Sequence, residues 1–194
     1  MEWSQSLGRR LSLPLGKGLA RLGVSPNVLT AIGLLGGGGA GALLALGQLF
    51  WGGWLMLGAA AMDMLDGAVA RASGRATRRG AFLDSVFDRL SEVAALSGLL
   101  AYFLSRGRSQ EVALIFVATV GSILVSYMRA RAEGLGISCR EDLATRPGRV
   151  LILSLGLLTG QVTIALWVLA ATSNLTALRR LVSVARQAGA ERGG

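Results

Sequence analysis

Asp63, Asp66, Asp84 and Asp88 stand in the stretch DMLDGAVARASGRATRRGAFLDSVFDR, residues 63–89, between long apolar segments. Asp63 and Asp66 are three residues apart and Asp84 and Asp88 four, spacings that place each pair on one face of a helix. An Asp at the centre of a membrane span costs ~2.5–3.5 kcal/mol. The cost falls toward the interface, but mutual repulsion adds to it. One or two divalent cations between the carboxylates would relieve both. The chain has no His, so a general base must be a carboxylate or, less suitably, a Lys, Tyr or Cys. A metal site must be built from oxygen ligands, which favours Mg²⁺, Mn²⁺ or Ca²⁺ over zinc. Cys139 is the single cysteine, which excludes an intrachain disulfide and a CxxC site.

The elements that must hold these side chains follow from composition. Of the 194 residues, 52% are hydrophobic and 16% charged, against roughly a quarter charged in soluble domains. Apolar runs long enough to cross a bilayer recur. The first twenty-five residues lack a compact apolar core and a small-residue cleavage site, so no cleaved signal peptide is expected. Leu7, Leu11, Leu15 and Leu19, with Arg9, Arg10, Lys17 and Arg21 between them, predict an amphipathic helix on the membrane surface, bent at Pro14. Ser25-Pro26-Asn27 reads as a helix start. Spans are expected over about 27–48, 51–71, 81–104 and 111–133, and two short ones over 150–178, broken near Thr159-Gly160-Gln161. Gly33, Gly37 and Gly41 form a small-residue stripe that lets helices approach closely. The glycines at 36–39 are no phosphate loop, because no Lys-Ser/Thr follows them.

The net charge of +9 decides between five and six spans. With six, and the N-terminus inside, only Arg106 and Arg108 of the twenty Lys and Arg lie outside. Five would strand Arg179, Arg180, Arg186 and Arg192 on the wrong side. The expected fold is an all-α integral membrane protein with six transmembrane helices plus an N-terminal amphipathic surface helix. Residues 1–24 form the juxtamembrane segment, 25–186 the six-helix domain and 187–194 a flexible tail. The basic charge is read as topology rather than as a nucleic-acid footprint. The second helix ends where the third begins, so antiparallel packing brings the two Asp pairs together at the cytoplasmic end.

Asp66-Gly67-x-x-Ala70-Arg71, eight residues, Gly80, three residues, Asp84, three residues, Asp88 resembles, position for position, the signature of the CDP-alcohol phosphotransferase family; Asp63 falls where that family has an additional leading Asp. SPNVLT at 25–30 is similar to the segment that opens the family's first span. The resemblance implies a phosphatidyltransferase of the cell membrane, multi-pass, with its N-terminus and active site facing the cytoplasm. A CDP-linked lipid, CDP-diacylglycerol, would donate its phosphatidyl group and CMP would leave. It implies Mg²⁺ or Mn²⁺, two ions, on Asp63, Asp66 and Asp84 with Asp88, and Asp88 as the base. It implies CDP-lipid contacts at Asn27, Val28, Leu29, Thr30, Asp66, Gly67, Ala70, Arg71, Thr77 and Gly80, and a homodimer. The chemistry agrees. Small residues let backbone approach a nucleotide, Arg71 offers a fork of donors to phosphate, and divalent metals stabilise the charge of a reacting pyrophosphate.

The acceptor is approached through Arg129, Arg131, Arg146, Arg149 and Arg180, which flank the same cytoplasmic mouth. They serve either the charge bias of inner loops or a second anion site for a phosphate on the acceptor, formed by Arg129, Arg146, Arg149 and Arg180. Their segments resemble those of the phosphatidylinositol phosphate and archaetidylinositol phosphate synthases, which implies inositol 1-phosphate. Thr145 and Gly148 stand where that group carries acidic residues, and Arg129 where it often has Lys. Glycerol 3-phosphate is the alternative acceptor. A divalent-cation transporter is the contrasting class, but it would need polar residues continuing through the upper half of the second helix, which holds Trp51, Trp54 and small residues instead.

Overall fold

The computed structural model describes residues 18, 26–72, 74, 77–139, 143 and 145–190. The amphipathic segment expected over 1–24, Gly18 apart, lies outside the described residues, as do 191–194. Among the described residues all regular structure is helical: α1 Pro26–Ala45, α2 Leu49–Ala72, α3 Arg78–Ser105, α4 Ser109–Gly134, α5 Arg146–Thr159 and α6 Val162–Ala190. They form two compact units, the first ending at Gly98 and the second starting at Leu99, both within α3.

In the first unit, α1 starts at Pro26, where a missing N–H costs nothing because the first turn has no intrahelical acceptor for it. It stops at a Schellman turn. Gly47 adopts φ 79°, the Gln48 N–H donates to the Leu43 carbonyl at 2.9 Å, and the Gly47 N–H donates to that of Leu44 at 3.0 Å. The turn therefore closes at 46–48, inside the first span expected over 27–48, and α2 begins at Leu49, ahead of the expected residue 51. The two helices pack antiparallel, with Leu44 opposite Gly52, Gly36 opposite Ala59 and Thr30 opposite Asp66. Thr77 caps α3: its Oγ1 accepts the Gly80 N–H at 3.0 Å, which moves the helix start ahead of the expected residue 81. α3 runs parallel to α1, with Gly37 against Ser91 and Gly41 against Ala94 and Gly98.

In the second unit, α4 and α6 are parallel. The Thr163 hydroxyl donates to Glu111, Asn174 Nδ2 donates to the Val117 carbonyl at 3.0 Å, and Gln187 Nε2 donates to the Ser138 carbonyl at 3.2 Å. α5 lies between them in sequence. It ends at Thr159, and Gly160 at φ 75° reverses the chain into α6. This is the break expected near 159–161. α5 has 14 residues, roughly 21 Å of helix against about 30 Å of hydrocarbon. α6 continues to Ala190, so the segment expected as a flexible tail from 187 is helical as far as it is described. An amphiphile-like surface accompanies this packing: Leu35, Phe82, Phe116 and Trp167 are exposed, the inverse of a water-soluble surface. Among the described residues, three helices are long and apolar enough to cross a membrane by length and composition, over Val28–Ala45, Ser109–Gly134 and Val162–Gly189. The membrane class stands on this, while α2 and α3 carry the carboxylates.

Candidate active site

The antiparallel register of α1 and α2 carries Asp63 and Asp66 back to the start of α1. Asp66 is buried, and its Oδ2 accepts a 2.6 Å hydrogen bond from the Thr30 hydroxyl. One turn further along α1, Gly33 faces Asp63. A Cβ built on Gly33 would collide with Asp63 Oδ1, while the next neighbours, Asp63 Cγ and the Ala59 carbonyl, stand at 3.3 and 3.7 Å. From α3, the charge of Asp84 acts on Asp66, as does that of Asp63 on its own helix. Three of the four carboxylates are thus electrostatically joined across two helices.

Asp88 is half-buried one turn beyond Asp84. Arg89 Nη1 lies 3.6 Å from its Oδ2, beyond hydrogen-bond range, and donates instead to the Ser85 carbonyl at 2.7 Å. The donor set is all carboxylate oxygen, which fits Mg²⁺ or Mn²⁺. Among the described residues no three acidic, Cys or His side chains stand close enough together to close a metal cage.

The other residues expected at the nucleotide occupy the same unit. Val28, Leu29 and Thr30 are in the first turns of α1, and Gly67 and Ala70 follow Asp66 along α2. The backbones of Asn27 and Arg71 are helical; their side chains lie outside the described residues. Thr77 and Gly80 meet each other, since the Thr77 hydroxyl is the cap that binds the Gly80 N–H. Gly80 keeps that cap open, because a Cβ there would lie 3.1 Å from the hydroxyl oxygen.

The arginines expected at the acceptor belong to the second unit and divide into two kinds. Arg149, on the first turn of α5, and Arg180, on α6, are buried, at 5% and 2% exposure. Arg180 Nη1 donates to the Val125 carbonyl of α4. A guanidinium enclosed by apolar helices is costly unless its donors are used, so topology alone is a poor reason for these two. Arg146 is half-buried. Arg129 is exposed, and its Nε donates to Glu133 at 2.9 Å.

Residues 23–178 match the CDP-alcohol phosphatidyltransferase family. The chain belongs to that family. Among relatives of this CDP-alcohol phosphatidyltransferase, the phosphatidylinositol phosphate synthase of Mycobacterium marinum is 36% identical over a 199-residue alignment covering 96% of this chain and 85% of the relative. That of Corynebacterium glutamicum is 38% identical over 179 residues, 87% of this chain and 81% of the relative. The crystal structure of Mycobacterium tuberculosis phosphatidylinositol phosphate synthase with CDP-DAG bound superimposes with a TM-score of 0.79 at 33% identity, covering 90% of this chain and 94% of that one. The same enzyme in complex with manganese and citrate gives 0.80 at 33% identity, over 89% and 88%.

Two features of this phosphatidyltransferase escaped sequence reasoning. Gly33 is one of three evenly spaced glycines, and spacing alone did not distinguish the one that faces a carboxylate. Glu111 was not singled out, although it is 2% exposed and accepts from Arg108 Nε at 3.2 Å and from Thr163 Oγ1 at 3.0 Å. The available signal was the three-residue spacing of Arg108 and Glu111 at a helix start.

Proposed function

We propose that the protein transfers the phosphatidyl group of CDP-diacylglycerol to a hydroxyl of inositol 1-phosphate, releasing CMP. The observation that carries this is the complete aspartate signature on α2 and α3, with Asp66 buried and bonded to Thr30 of α1. The names of the relatives support the acceptor.

Asp63, Asp66 and Asp84, with Asp88, are the residues to hold Mg²⁺ or Mn²⁺, two ions. Such ions neutralise a pyrophosphate and stabilise the charge that develops during phosphoryl transfer. Asp88 takes the proton of the acceptor hydroxyl. The hydroxyl oxygen bonds to the β-phosphorus of the CDP-lipid, the bond from that phosphorus to the bridging oxygen breaks, and the bridging oxygen leaves on CMP. Arg71 binds the pyrophosphate, and the first turn of α1 (Asn27, Val28, Leu29 and Thr30), Gly67, Ala70, Thr77 and Gly80 surround the nucleotide. Arg146, Arg149 and Arg180, with Arg129, hold the phosphate of the acceptor. The burial of Arg149 and Arg180 supports this role more than the exposed, Glu133-paired Arg129 does.

The charge distribution supports six spans with the N-terminus and active site on the cytoplasmic side of the cell membrane, and the family resemblance supports a homodimer. The test is CMP release by purified protein given CDP-diacylglycerol with inositol 1-phosphate, free inositol or glycerol 3-phosphate. Release with inositol 1-phosphate alone is expected. Equal use of free inositol would remove the arginines' role, and preference for glycerol 3-phosphate would reassign the acceptor.

A further inference from the structure

Gly33 and Thr30 lie one turn apart on α1, and each meets a different carboxylate of α2. Thr30 Oγ1 donates to Asp66 Oδ2 at 2.6 Å, and Gly33 leaves the space into which Asp63 Oδ1 projects. We infer that α1 is the positioning element of the metal site: Thr30 fixes the orientation of the Asp66 carboxylate, and the bare backbone at Gly33 sets where the Asp63 carboxylate rests. The inference rests on the proposed metal-dependent function and assigns the two residues a task that acts through the aspartates.

The three glycines of the α1 stripe differ in what they meet. A Cβ at Gly41 would strike the backbone carbonyl of Ala94, and a Cβ at Gly37 would strike Ser91, including its Cα. Those positions serve the approach of α1 to α3. At Gly33 the close atoms, Oδ1 and, at 3.3 Å, Cγ, both belong to the rotatable Asp63 side chain, and the nearest backbone atom is at the ordinary distance of 3.7 Å. Alanine at 33 therefore leaves the helices where they are and turns Asp63 away. Alanine is also the better helix former. A packing glycine and a carboxylate-positioning glycine thus predict opposite outcomes for stability and metal affinity.

Thr30 is separable in the same manner. Valine keeps the branched shape and removes the donor, which strips buried Asp66 of the bond to Thr30. Serine keeps the donor. Residues that orient metal ligands typically change metal affinity by about 10–100-fold when removed.

The experiment titrates purified protein with Mn²⁺ and reads free Mn²⁺ by electron paramagnetic resonance, with thermal unfolding in chelator measured on the same samples. Gly33→Ala and Thr30→Val should each weaken Mn²⁺ binding by about tenfold or more. Gly33→Ala should unfold at or above the wild-type temperature, and Thr30→Ser should bind Mn²⁺ as wild type does. Wild-type affinity in both Gly33→Ala and Thr30→Val would overturn the inference alone. A Gly33→Ala protein that unfolds early would make Gly33 a packing residue and overturn its part. Absence of Mn²⁺ binding by wild type would instead overturn the metal-dependent reading, and this inference with it.

Discussion

Gly98 of α3 rests against the carbonyl of Gly41 in α1 so closely that a Cβ on Gly98 would overlap the carbonyl oxygen and carbon and the Gly41 Cα. The two helices meet backbone to backbone, as small residues allow in membrane bundles. No side-chain rotation relieves a collision with a carbonyl. Gly98→Ala should destabilise the protein by about 1–3 kcal/mol from overpacking, against roughly 1 kcal/mol gained in helix propensity. Thermal unfolding in detergent checks this, and a Gly98→Ala protein more stable than wild type would show that the helices separate freely.

A second stability prediction concerns Glu111. Its carboxylate is buried, while the Arg108 that pairs with it is 58% exposed. Arg108→Ala should lower stability, by less than breaking a fully enclosed pair would, because water reaches the arginine's side of the interaction. A double-mutant cycle with Glu111→Gln isolates the coupling. Zero coupling would reduce the pair to a surface ornament.

These contacts mark what the sequence could and could not reveal. The Asp spacing, the helix start at Pro26 and the break at Gly160 were legible from helical period, proline geometry and the distribution of positive charge along the chain. The six described helices follow the expected six segments closely. The first turn falls earlier than the end of the span expected over 27–48 because Gly47 takes the left-handed conformation. The partners of Asp63 and Asp66 were hidden because they depend on the register between α1 and α2, which a one-dimensional pattern does not encode. The same holds for Arg180, whose partner carbonyl lies 55 residues away. The amphipathic segment over 1–24 lies outside the described residues.

The base assignment predicts the effect of Asp88→Asn. The change keeps shape and removes proton-accepting power, so the turnover rate should fall at least ~10²-fold, within the range of general-base effects. Binding of CDP-diacylglycerol should largely persist, since Asp63, Asp66 and Asp84 remain. Single-turnover kinetics beside equilibrium binding separates the two. A near wild-type rate would remove Asp88 from the proton transfer.

For the acceptor, Arg149→Ala and Arg180→Ala should raise the KM for inositol 1-phosphate about 10–150-fold, the equivalent of roughly 1.5–3 kcal/mol for a charge-assisted contact. The KM for CDP-diacylglycerol should stay near its original value. Because Arg180 also holds the Val125 carbonyl, Arg180→Ala should lose stability as well, so thermal unfolding is measured beside the kinetics of both variants. Unchanged acceptor KM in Arg149→Ala would leave that arginine a structural role only.

The central claim is that the bond broken joins the β-phosphorus to the bridging oxygen of the CDP-lipid. CDP-diacylglycerol labelled with ³²P at the phosphorus next to the glycerol tests it directly. With inositol 1-phosphate and Mg²⁺ or Mn²⁺, the label should appear in a lipid bearing a second, unlabelled phosphate, while the released CMP carries none. Label in the nucleotide product, or labelled phosphatidic acid formed equally well without the acceptor, would contradict phosphatidyl transfer.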